Sequence, residues 1–233
     1  MHRRQVVHLA GGLHHPAENS QKFWSNCWSA AELEARTFVD VDAAGAALDD
    51  RPCDLLVISA LRWTMTQHPK YEPHRTQWAC STSSDFRNAV VGHLQRGGSL
   101  LAMHTAILCF DDWPQWSEIL GGSWVWGRSS HPPYGQVATR METLAHPITR
   151  GVRDFDSQDE VYSDLLLAGP VDVLASSRVT ASGWMPTVWV RQWQGAKVCV
   201  DALGHDVNSL AQPDHQRLIR QAIDWLIPAR QTS

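Results

Sequence analysis

Hydrophobic residues in the first half of the chain form short continuous runs that alternate with helix-like segments. Mainly apolar runs at residues 6–10 and 54–60 are typical of strands that are buried on both faces of a parallel sheet. A third strand is predicted at residues 37–41, after a predicted helix at residues 29–35. Strands that alternate with helices over short links predict parallel pairing through right-handed crossovers.

The most regular stretch of this pattern ends just before His104. A helix is predicted to begin at Ser83 and to end near Gly97, the position of a C-terminal cap. Its apolar face, at helical spacing, consists of Phe86, Ala89, Val90, His93 and Leu94. A buried strand over residues 99–103 follows, so His104 stands at the turn that leaves it. In an open α/β sheet, ligands and catalytic groups collect at the carboxyl ends of the central strands.

The second half of the chain is predicted to be richer in strands. After a helix that begins at Pro114, strands are predicted at residues 137–142, 171–175, 187–193 and 197–202. The last two flank a short hairpin signal at residues 194–196. Residues 61–80 show no period, and a loop of that length is usually functional or an insertion. No repeat or linker is evident, so one α/β domain over residues 1–233 is predicted.

Composition and charge exclude several classes of protein. Hydrophobic residues make up 43% of the chain and charged residues 19%, as in an ordinary globular protein. The formal net charge of −4, without basic blocks, argues against nucleic acid as a partner. No export signal and no run of ~18 apolar residues is found, so no membrane partner and a cytoplasmic location are expected. The five cysteines lack CxxC spacing, which predicts a reducing compartment and no zinc finger.

Several common catalytic and cofactor motifs are missing. No GxGxxG follows the first strand, so no nucleotide cofactor is expected, and neither a phosphate-binding loop nor GxSxG occurs. The strand–turn position that carries a serine or cysteine nucleophile in some α/β enzymes holds His104 instead. Acyl transfer and thiol-based amide hydrolysis therefore have no evident nucleophile.

Histidines follow several of the predicted strands. They are His14 and His15 after the first strand, His104 after the fourth, His131 before two prolines, and His205 after the last. Since the carboxyl ends of parallel strands share one edge of a sheet, some of these imidazoles are expected to meet there. They suit general acid–base catalysis, or a divalent metal (zinc or manganese) with His104 and His205 as ligands. A loop histidine is also often a cap or a surface residue, so a structural role is the alternative for each.

Acidic and aromatic side chains complete the candidate site. Glu160 is the best candidate for a base or a metal partner, and its neighbours Asp159 and Tyr162 are candidates for binding substrate. A solvated acidic turn is the structural alternative for these carboxylates. The 12 tryptophans are expected mainly in the core, but aromatic rings also stack on the apolar faces of sugars. The residues expected to form such an aromatic wall are Trp113, Trp126 and Tyr134.

A series of segments, in this order along the chain, resembles the ThuA-like (trehalose-utilisation) family. The series consists of Gly11-Gly12 with His14-His15, Gly98 with residues 102–106, residues 112–122, His131-Pro132-Pro133, residues 146–151, residues 159–162, Pro186 with Trp189, and residues 202–205. Each segment is weak alone, but the combination is specific and covers nearly the whole chain. The chain departs from the family at residues 102–106, where the usual Gly-Ile-His-Ala-Ala becomes Ala-Met-His-Thr-Ala.

The resemblance implies a flavodoxin-like three-layer α/β/α sandwich, here with a mainly parallel central sheet and an antiparallel hairpin near the C-terminus. It implies the class I glutamine amidotransferase-like superfamily, whose amidotransferases have cysteine where His104 stands, so amidase activity is not implied. The family is associated with catabolism of trehalose and related disaccharides, including 3-keto-glycosides. By match to its motifs, the residues implied to line the pocket are His104, His131, Glu160 and His205, with His15 close by.

Two functions are expected as alternatives. The first is an enzyme of carbohydrate catabolism, an isomerase, lyase or hydrolase of a disaccharide or keto-sugar, with His104, Glu160 and His205 as catalytic residues. The residues expected to bind substrate are His15, Trp113, Trp126, His131, Tyr134, Asp159 and Tyr162. The second is a non-catalytic sugar-binding or assembly module on an amidotransferase-like scaffold that lacks the nucleophilic cysteine. A small-molecule sugar is the expected ligand in both cases, and a homo-oligomer is compatible with either.

Overall fold

A computed structural model of the chain describes residues 3–179 and 183–227. Its strands are β1 (Arg4–Gly12), β2 (Leu33–Phe38), β3 (Leu55–Leu61), β4 (Ser99–Met103), β5 (Gly122–Ser123), β6 (Gly135–Met141), β7 (Phe155–Asp159), β8 (Leu166–Leu167), β9 (Asp172–Arg178), β10 (Met185–Trp193) and β11 (Ala196–Asp201). Its α-helices are α1 (Ala17–Ala30), α2 (Val41–Asp50), α3 (Arg75–Trp78), α4 (Ser84–Gln95), α5 (Pro114–Leu120), α6 (Val207–Ala211) and α7 (Pro213–Leu226). Short 3-10 helices span Pro69–His74 and His104–Leu108.

Nine of these strands form one sheet, in the order β2-β1-β3-β4-β11-β10-β9-β6-β7. The five strands from β2 to β11 are parallel, and the sheet continues beyond β11 by antiparallel pairing. The α/β class, the parallel centre and the hairpin of β10 with β11 are therefore confirmed. The antiparallel part is larger than the single hairpin that the sequence predicts, because β9, β6 and β7 extend it.

Helices cover both faces of the sheet because side chains alternate along each central strand. On β3, Leu56 and Ile58 pack with α2, α4 and α5, whereas Leu55 and Val57 pack with α1 and α7. All four side chains are fully buried, which explains why this strand is apolar nearly throughout. The resulting α/β/α layers bring the carboxyl ends of β1, β3, β4 and β11 to one edge of the sheet. The loops that carry the candidate residues begin at this edge.

The helix predicted at residues 29–35 is wrong. Helix α1 ends at Ala30, and β2 begins at Leu33 after a turn in which Glu32 has a φ of 54°. This strand replaces the one predicted at residues 37–41. Helix α1 escapes prediction because its sequence is mostly polar, and its buried residues are Trp24, Cys27 and Trp28. Within the described ranges, no helix is long and apolar enough to cross a bilayer.

Candidate active site

His104 stands where β4 ends and a 3-10 helix begins. Its backbone has a φ of 46°, in the left-handed region that histidine adopts more often than most other side chains. The imidazole is buried, and its Nδ1 atom lies 3.2 Å from the carbonyl oxygen of Ala202, which follows β11. A carbonyl oxygen only accepts hydrogen bonds, so Nδ1 carries the proton. The turn therefore presents Nε2 of His104 as a hydrogen-bond acceptor.

Three polar side chains surround Nε2 of His104. The Tyr162 hydroxyl lies 2.9 Å away, Nδ1 of His205 lies 3.3 Å away and Oε2 of Glu160 lies 3.8 Å away. Glu160 Oε2 also lies 3.4 Å from Nδ1 of His205, and Glu160 Oε1 lies 3.5 Å from Nδ1 of His131. The structure thus brings together the three residues that the sequence predicts to be catalytic.

His15 adds a fourth imidazole, from the loop after β1. Its ring centroid lies 5.1 Å from that of His104 and 4.9 Å from that of His205. One ring nitrogen of each of these histidines lies within 4.8 Å of the other two, which is a spacing that suits metal ligands. We name His15, His104, His205 and Glu160 the cavity cluster. Its imidazoles follow β1, β4 and β11, three strands whose carboxyl ends share one edge of the sheet.

Burial and mutual repulsion set the charges of the cavity cluster. Burial, followed by the charges of neighbouring histidines, lowers the pKa of His15 to about 3 and that of His104 to about 4. Burial alone would raise the pKa of Glu160, but the hydrogen bond from His205 and the nearby imidazoles lower it. The hydrogen bond to Glu160 outweighs burial and raises the pKa of His205. At neutral pH, His15 and His104 are therefore neutral, Glu160 is ionised, and His205 binds a proton most readily.

Asp159 positions the cavity cluster from within the core. Its side chain is fully buried, and Oδ1 accepts hydrogen bonds from the backbone N–H groups of Glu160 (2.8 Å) and His205 (3.2 Å). Oδ2 accepts hydrogen bonds from the N–H of Gly204 (2.8 Å) and from the Ser209 hydroxyl. Asp159 therefore ties the end of β7 to the loop after β11. This corrects the prediction that Asp159 binds substrate, because no part of its side chain is accessible.

The cavity cluster borders a cavity of about 490 Å³, a usual size for a small-molecule site. Its polar lining includes His15, His131, Glu160, Tyr162 and His205. Its aromatic lining includes Trp63, Tyr71, Trp124 and Trp126. A second cavity, of about 140 Å³, is lined by His104 together with His15 and His205. His104 therefore lines the smaller cavity, Glu160 and Tyr162 line the larger one, and His15 and His205 line both.

The predicted aromatic wall is only partly at the cavity. Trp126 lines it, as expected. Trp113 does not, because its buried ring packs against Phe86 and Trp116 in the core under α5. Tyr134 stands beside the site, with its ring centroid 5.1 Å from that of His205 and its hydroxyl donating to Asp206. The expectation for Trp113 is therefore corrected to a core role, since helix packing covers its ring.

Several lining residues come from the irregular segment at residues 61–80. They are Leu61, Trp63, Lys70, Tyr71 and His74. The sequence predicts a functional loop or an insertion here but assigns no residue within it. One feature of the sequence indicates this role. The segment has no helical or strand period but is rich in aromatic residues, which in a loop are usually buried against another part of the protein or line a binding site.

Comparison with known proteins places these residues in a family. The sequence model of the ThuA family, described as trehalose utilisation, matches residues 74–226, which is more than half of the chain. The chain belongs to the ThuA family. A carbohydrate-related role accords with the description of this family. A search of the curated proteins found no match.

The ThuA fold of this chain is similar to solved structures at low sequence identity. A ThuA-like protein of Parabacteroides merdae has a TM-score of 0.78 at 17% identity, over 100% of this chain and 92% of that one. A ThuA-like protein of Bacteroides uniformis has a TM-score of 0.71 at 15% identity, over 99% of this chain and 94% of that one. A cold-adapted β-galactosidase of Rahnella has a TM-score of 0.62 at 13% identity, over 98% of this chain but only 32% of that one. At these identities the likeness concerns the fold alone.

Proposed function

We propose that this chain is an enzyme of carbohydrate catabolism that acts on a disaccharide or keto-sugar, either trehalose-related or a 3-keto-glycoside. The observation that carries the proposal is the mutual contact of His104, Glu160 and His205 beside a cavity of suitable size. Neighbouring groups that differ in proton affinity are what acid–base chemistry requires. The description of the family supports carbohydrate as the class of substrate.

The cavity cluster suits proton abstraction from the carbon next to a ketone. His205 is the base, because its raised pKa favours proton uptake and Glu160 stabilises the imidazolium that forms. Burial raises the pKa of Tyr162 well above its usual range, so its hydroxyl keeps its proton. That hydroxyl donates its single proton to Nε2 of His104 and so fixes this imidazole beside His205 and Glu160. Return of the proton from His205 to a second carbon or to a leaving oxygen completes an isomerisation or an elimination.

As an alternative to the role of His205 as a base, the same histidines fit a divalent metal. His15, His104 and His205 would be its ligands, because two of them are neutral at pH 7 and all three have ring nitrogens within 4.8 Å. Imidazole donors suit zinc and, with a carboxylate such as Glu160 nearby, also manganese. When bound, such a metal supplies Lewis-acid stabilisation of charge on a substrate oxygen.

The main test replaces site residues by side chains of similar shape. In Glu160→Gln and His104→Asn, turnover of 3-keto-trehalose is expected to fall by roughly 10² to 10⁴, because a proton-transfer group or its partner is lost. Asparagine tolerates the φ of 46° at position 104, so the far-UV circular dichroism spectrum should not change. The matched controls are Glu142→Gln and His146→Asn, outside both cavities, and these should retain wild-type turnover. Wild-type turnover in either site variant would contradict the proposal.

A non-catalytic sugar-binding module is the second candidate, and one observation favours it. His104 stands where a nucleophile would be, and no cysteine is among the described residues that line either cavity. Burial raises the pKa of the nearby Cys109 to about 12, so its thiolate does not form at neutral pH. Calorimetric titration with disaccharides, together with a turnover assay on the same sugars, distinguishes the enzyme from the binding module. Tight binding of oxidised and unoxidised disaccharides without conversion would favour the module.

Elemental analysis of the purified protein tests the metal. About one equivalent of zinc or manganese per chain is expected, and less than about a tenth of an equivalent argues against a tight site. Added Zn²⁺ should also raise the Tm of the wild type but not that of His15→Gln, which lacks one imidazole. His146→Asn should respond as the wild type does. An equal rise of the Tm in all three proteins would contradict a site at His15.

A further inference from the structure

The cavity has a second end that the proposed chemistry does not use. Trp124 joins the two ends, since its ring centroid lies 5.5 Å from that of Tyr162 and 6.0 Å from that of Trp126. We name this second end the apolar end, and its lining consists of Leu13, Leu61, Trp63, Tyr71, Leu108 and Trp126. The cavity therefore offers two adjoining environments of opposite character.

The aromatic rings of the apolar end hold one another in place. The ring centroids of Trp63 and Tyr71 lie 5.2 Å apart in an edge-to-face contact, and Trp126 lies 6.3 Å from Trp63 and 6.2 Å from Tyr71. Trp63 is only 2% exposed and anchors the group against Leu13 and Leu61. Such contacts fix ring orientation, so this surface exists before a ligand arrives.

The apolar end has few groups that accept hydrogen bonds from hydroxyls. Its polar neighbours are Lys70, whose Nζ lies 4.9 Å above the ring of Tyr71, and the exposed His14 and His74. The buried indole N–H groups of Trp63 and Trp124 have no hydrogen-bond partner among the described residues, and an indole N–H only donates. Among the described residues that line this cavity, Glu160 at the other end is the one carboxylate, and no asparagine or glutamine is present. Carboxylates and amides are the side chains with several acceptor sites for hydroxyls. The ammonium and indole groups of this end supply donors but few acceptors, so a second sugar ring would bury several hydroxyl protons without acceptors, at a cost that an aromatic ring does not incur.

We infer that the ligand is a glycoside whose sugar lies against the cavity cluster and whose aglycone, an aromatic ring, occupies the apolar end. This inference rests on the proposed function for the placement of the sugar, and within the proposed class of 3-keto-glycosides it favours an aryl aglycone over a second sugar. The two ends are parts of one cavity and meet at Trp124. In the bound ligand, the bond between the sugar and its aromatic aglycone would lie at this position.

Part of the apolar end lies outside the range that matches the family model. Trp63, Lys70 and Tyr71 precede residue 74, where the match to the family begins. The cavity cluster residues His104, Glu160 and His205 all lie within the matched range. Leu108 and Trp126, which also line the apolar end, lie inside the matched range, so both parts of the chain contribute to the proposed aglycone site.

Calorimetric titration of the purified full chain tests this selection. The probes are phenyl glucoside, methyl glucoside and trehalose, which lack a ketone and so are not turned over by the proposed chemistry. Phenyl glucoside should bind roughly tenfold more tightly than methyl glucoside, since burial of one aromatic ring contributes about that much. In Tyr71→Ala and Trp126→Ala this ratio should fall close to one, while the affinity for methyl glucoside stays unchanged. Trp184→Ala, a half-buried tryptophan between Arg140 and Arg178, should keep the ratio.

Two results would overturn the inference. Trehalose binding as tightly as phenyl glucoside to the wild type would show that the apolar end accepts a sugar. An unchanged ratio in both alanine variants would show that the aromatic ring binds elsewhere. Tyr71→Leu and Trp126→Leu repeat the test if an alanine variant alters the far-UV circular dichroism spectrum. Failure of the proposed function appears instead as wild-type turnover in Glu160→Gln, and this leaves the binding ratio untouched.

Discussion

Two clusters of histidine and carboxylate lie near the end of β11, and His104 in one and His215 in the other have opposite pKa shifts. The cavity cluster borders a cavity, whereas the second cluster is buried in the core. We name Asp159, Asp201, Ser209 and His215 the buried cluster. There, Nε2 of His215 lies 3.0 Å from Oδ2 of Asp201, and burial is outweighed by the charge of Asp201, so the pKa of His215 is raised. In the cavity cluster, the pKa of His104 falls to about 4 although Glu160 lies 3.8 Å away.

Direct hydrogen bonding explains the difference between the two histidines. Asp201 accepts a hydrogen bond from His215, whereas Glu160 is too far from His104 to accept one and lies closer to His205. Other imidazoles also crowd His104 and repel a positive charge on its ring. In the buried cluster, His215 and Asp201 therefore form a fixed hydrogen-bonded pair within the core. The cavity cluster consists of groups whose protons can move.

The largest expected effect compares one carboxylate of each cluster. Asp201→Asn should lower the free energy of unfolding by about 3–5 kcal/mol, because it leaves a buried charge without its partner. Glu160→Gln should change it by less than about 1 kcal/mol, because Glu160 lines a cavity and is not enclosed in the core. Urea unfolding at pH 7, followed by tryptophan fluorescence, measures both values. Equal destabilisation by the two substitutions would mean that the clusters do not differ in the way described.

A second prediction concerns Asp159, the residue through which the clusters touch. In Asp159→Asn an amide group faces backbone N–H donors, so the loop at residues 203–206 should shift and the Glu160–His205 hydrogen bond should weaken. The pKa of His205 should then fall towards its ordinary value, as measured by NMR titration of the imidazole. Turnover by the proposed enzyme should fall by about 10²-fold with the misplaced groups.

Asp156→Asn, on the exposed side of β7, is the matched control for Asp159→Asn. It should leave both the pKa of His205 and the rate unchanged, since Asp156 is solvent-exposed and makes no contact with the loop after β11 in the described hydrogen bonds. An unchanged pKa of His205 in Asp159→Asn would contradict the positioning role of Asp159, whatever the stability of that variant.

The sequence predicts the strands and the cavity cluster better than the apolar end, for physical reasons. The strand at residues 99–103 agrees with β4 to the residue, because a continuous apolar run between glycines and a turn has few other solutions. Histidines at strand ends are also predictable, since parallel strands share an edge. Trp113 and Tyr71 are not, because nothing local decides whether an aromatic ring packs into a core or lines a cavity. That outcome depends on how α5 and residues 61–80 pack on distant parts of the chain.

The third and smallest expected effect concerns the pH dependence of stability at His8. This histidine is buried like His104 and His215, but its side-chain partners in the described hydrogen bonds are hydroxyls. His8 contacts the hydroxyls of Thr37 (3.3 Å) and Ser59 (2.7 Å), and burial lowers its pKa to about 3. The unfolded chain takes up a proton at this residue below about pH 6.5 and the folded chain does not. Stability from neutral His8 is therefore present above pH 6.5 and lost as the pH falls towards 3. His215 has the opposite sign, because its contribution is present below pH 6.5 and lost as the pH rises through its raised pKa.

Replacement of His8 by glutamine measures how much His8 contributes to the loss of stability at acid pH. His8→Gln keeps hydrogen-bonding groups but does not titrate, so the loss of stability between pH 5.5 and 4.5 should be smaller by about 1.4 kcal/mol than in the wild type. Urea unfolding at the two pH values measures the difference. The control is His68→Gln, which replaces an exposed histidine and should lose as much stability between these pH values as the wild type does. An equal loss in His8→Gln and the wild type would mean that His8 is protonated in the folded chain. Burial without a carboxylate would then not keep an imidazole neutral here, and the contrast between His104 and His215 would need a cause other than the hydrogen bond from His215 to Asp201.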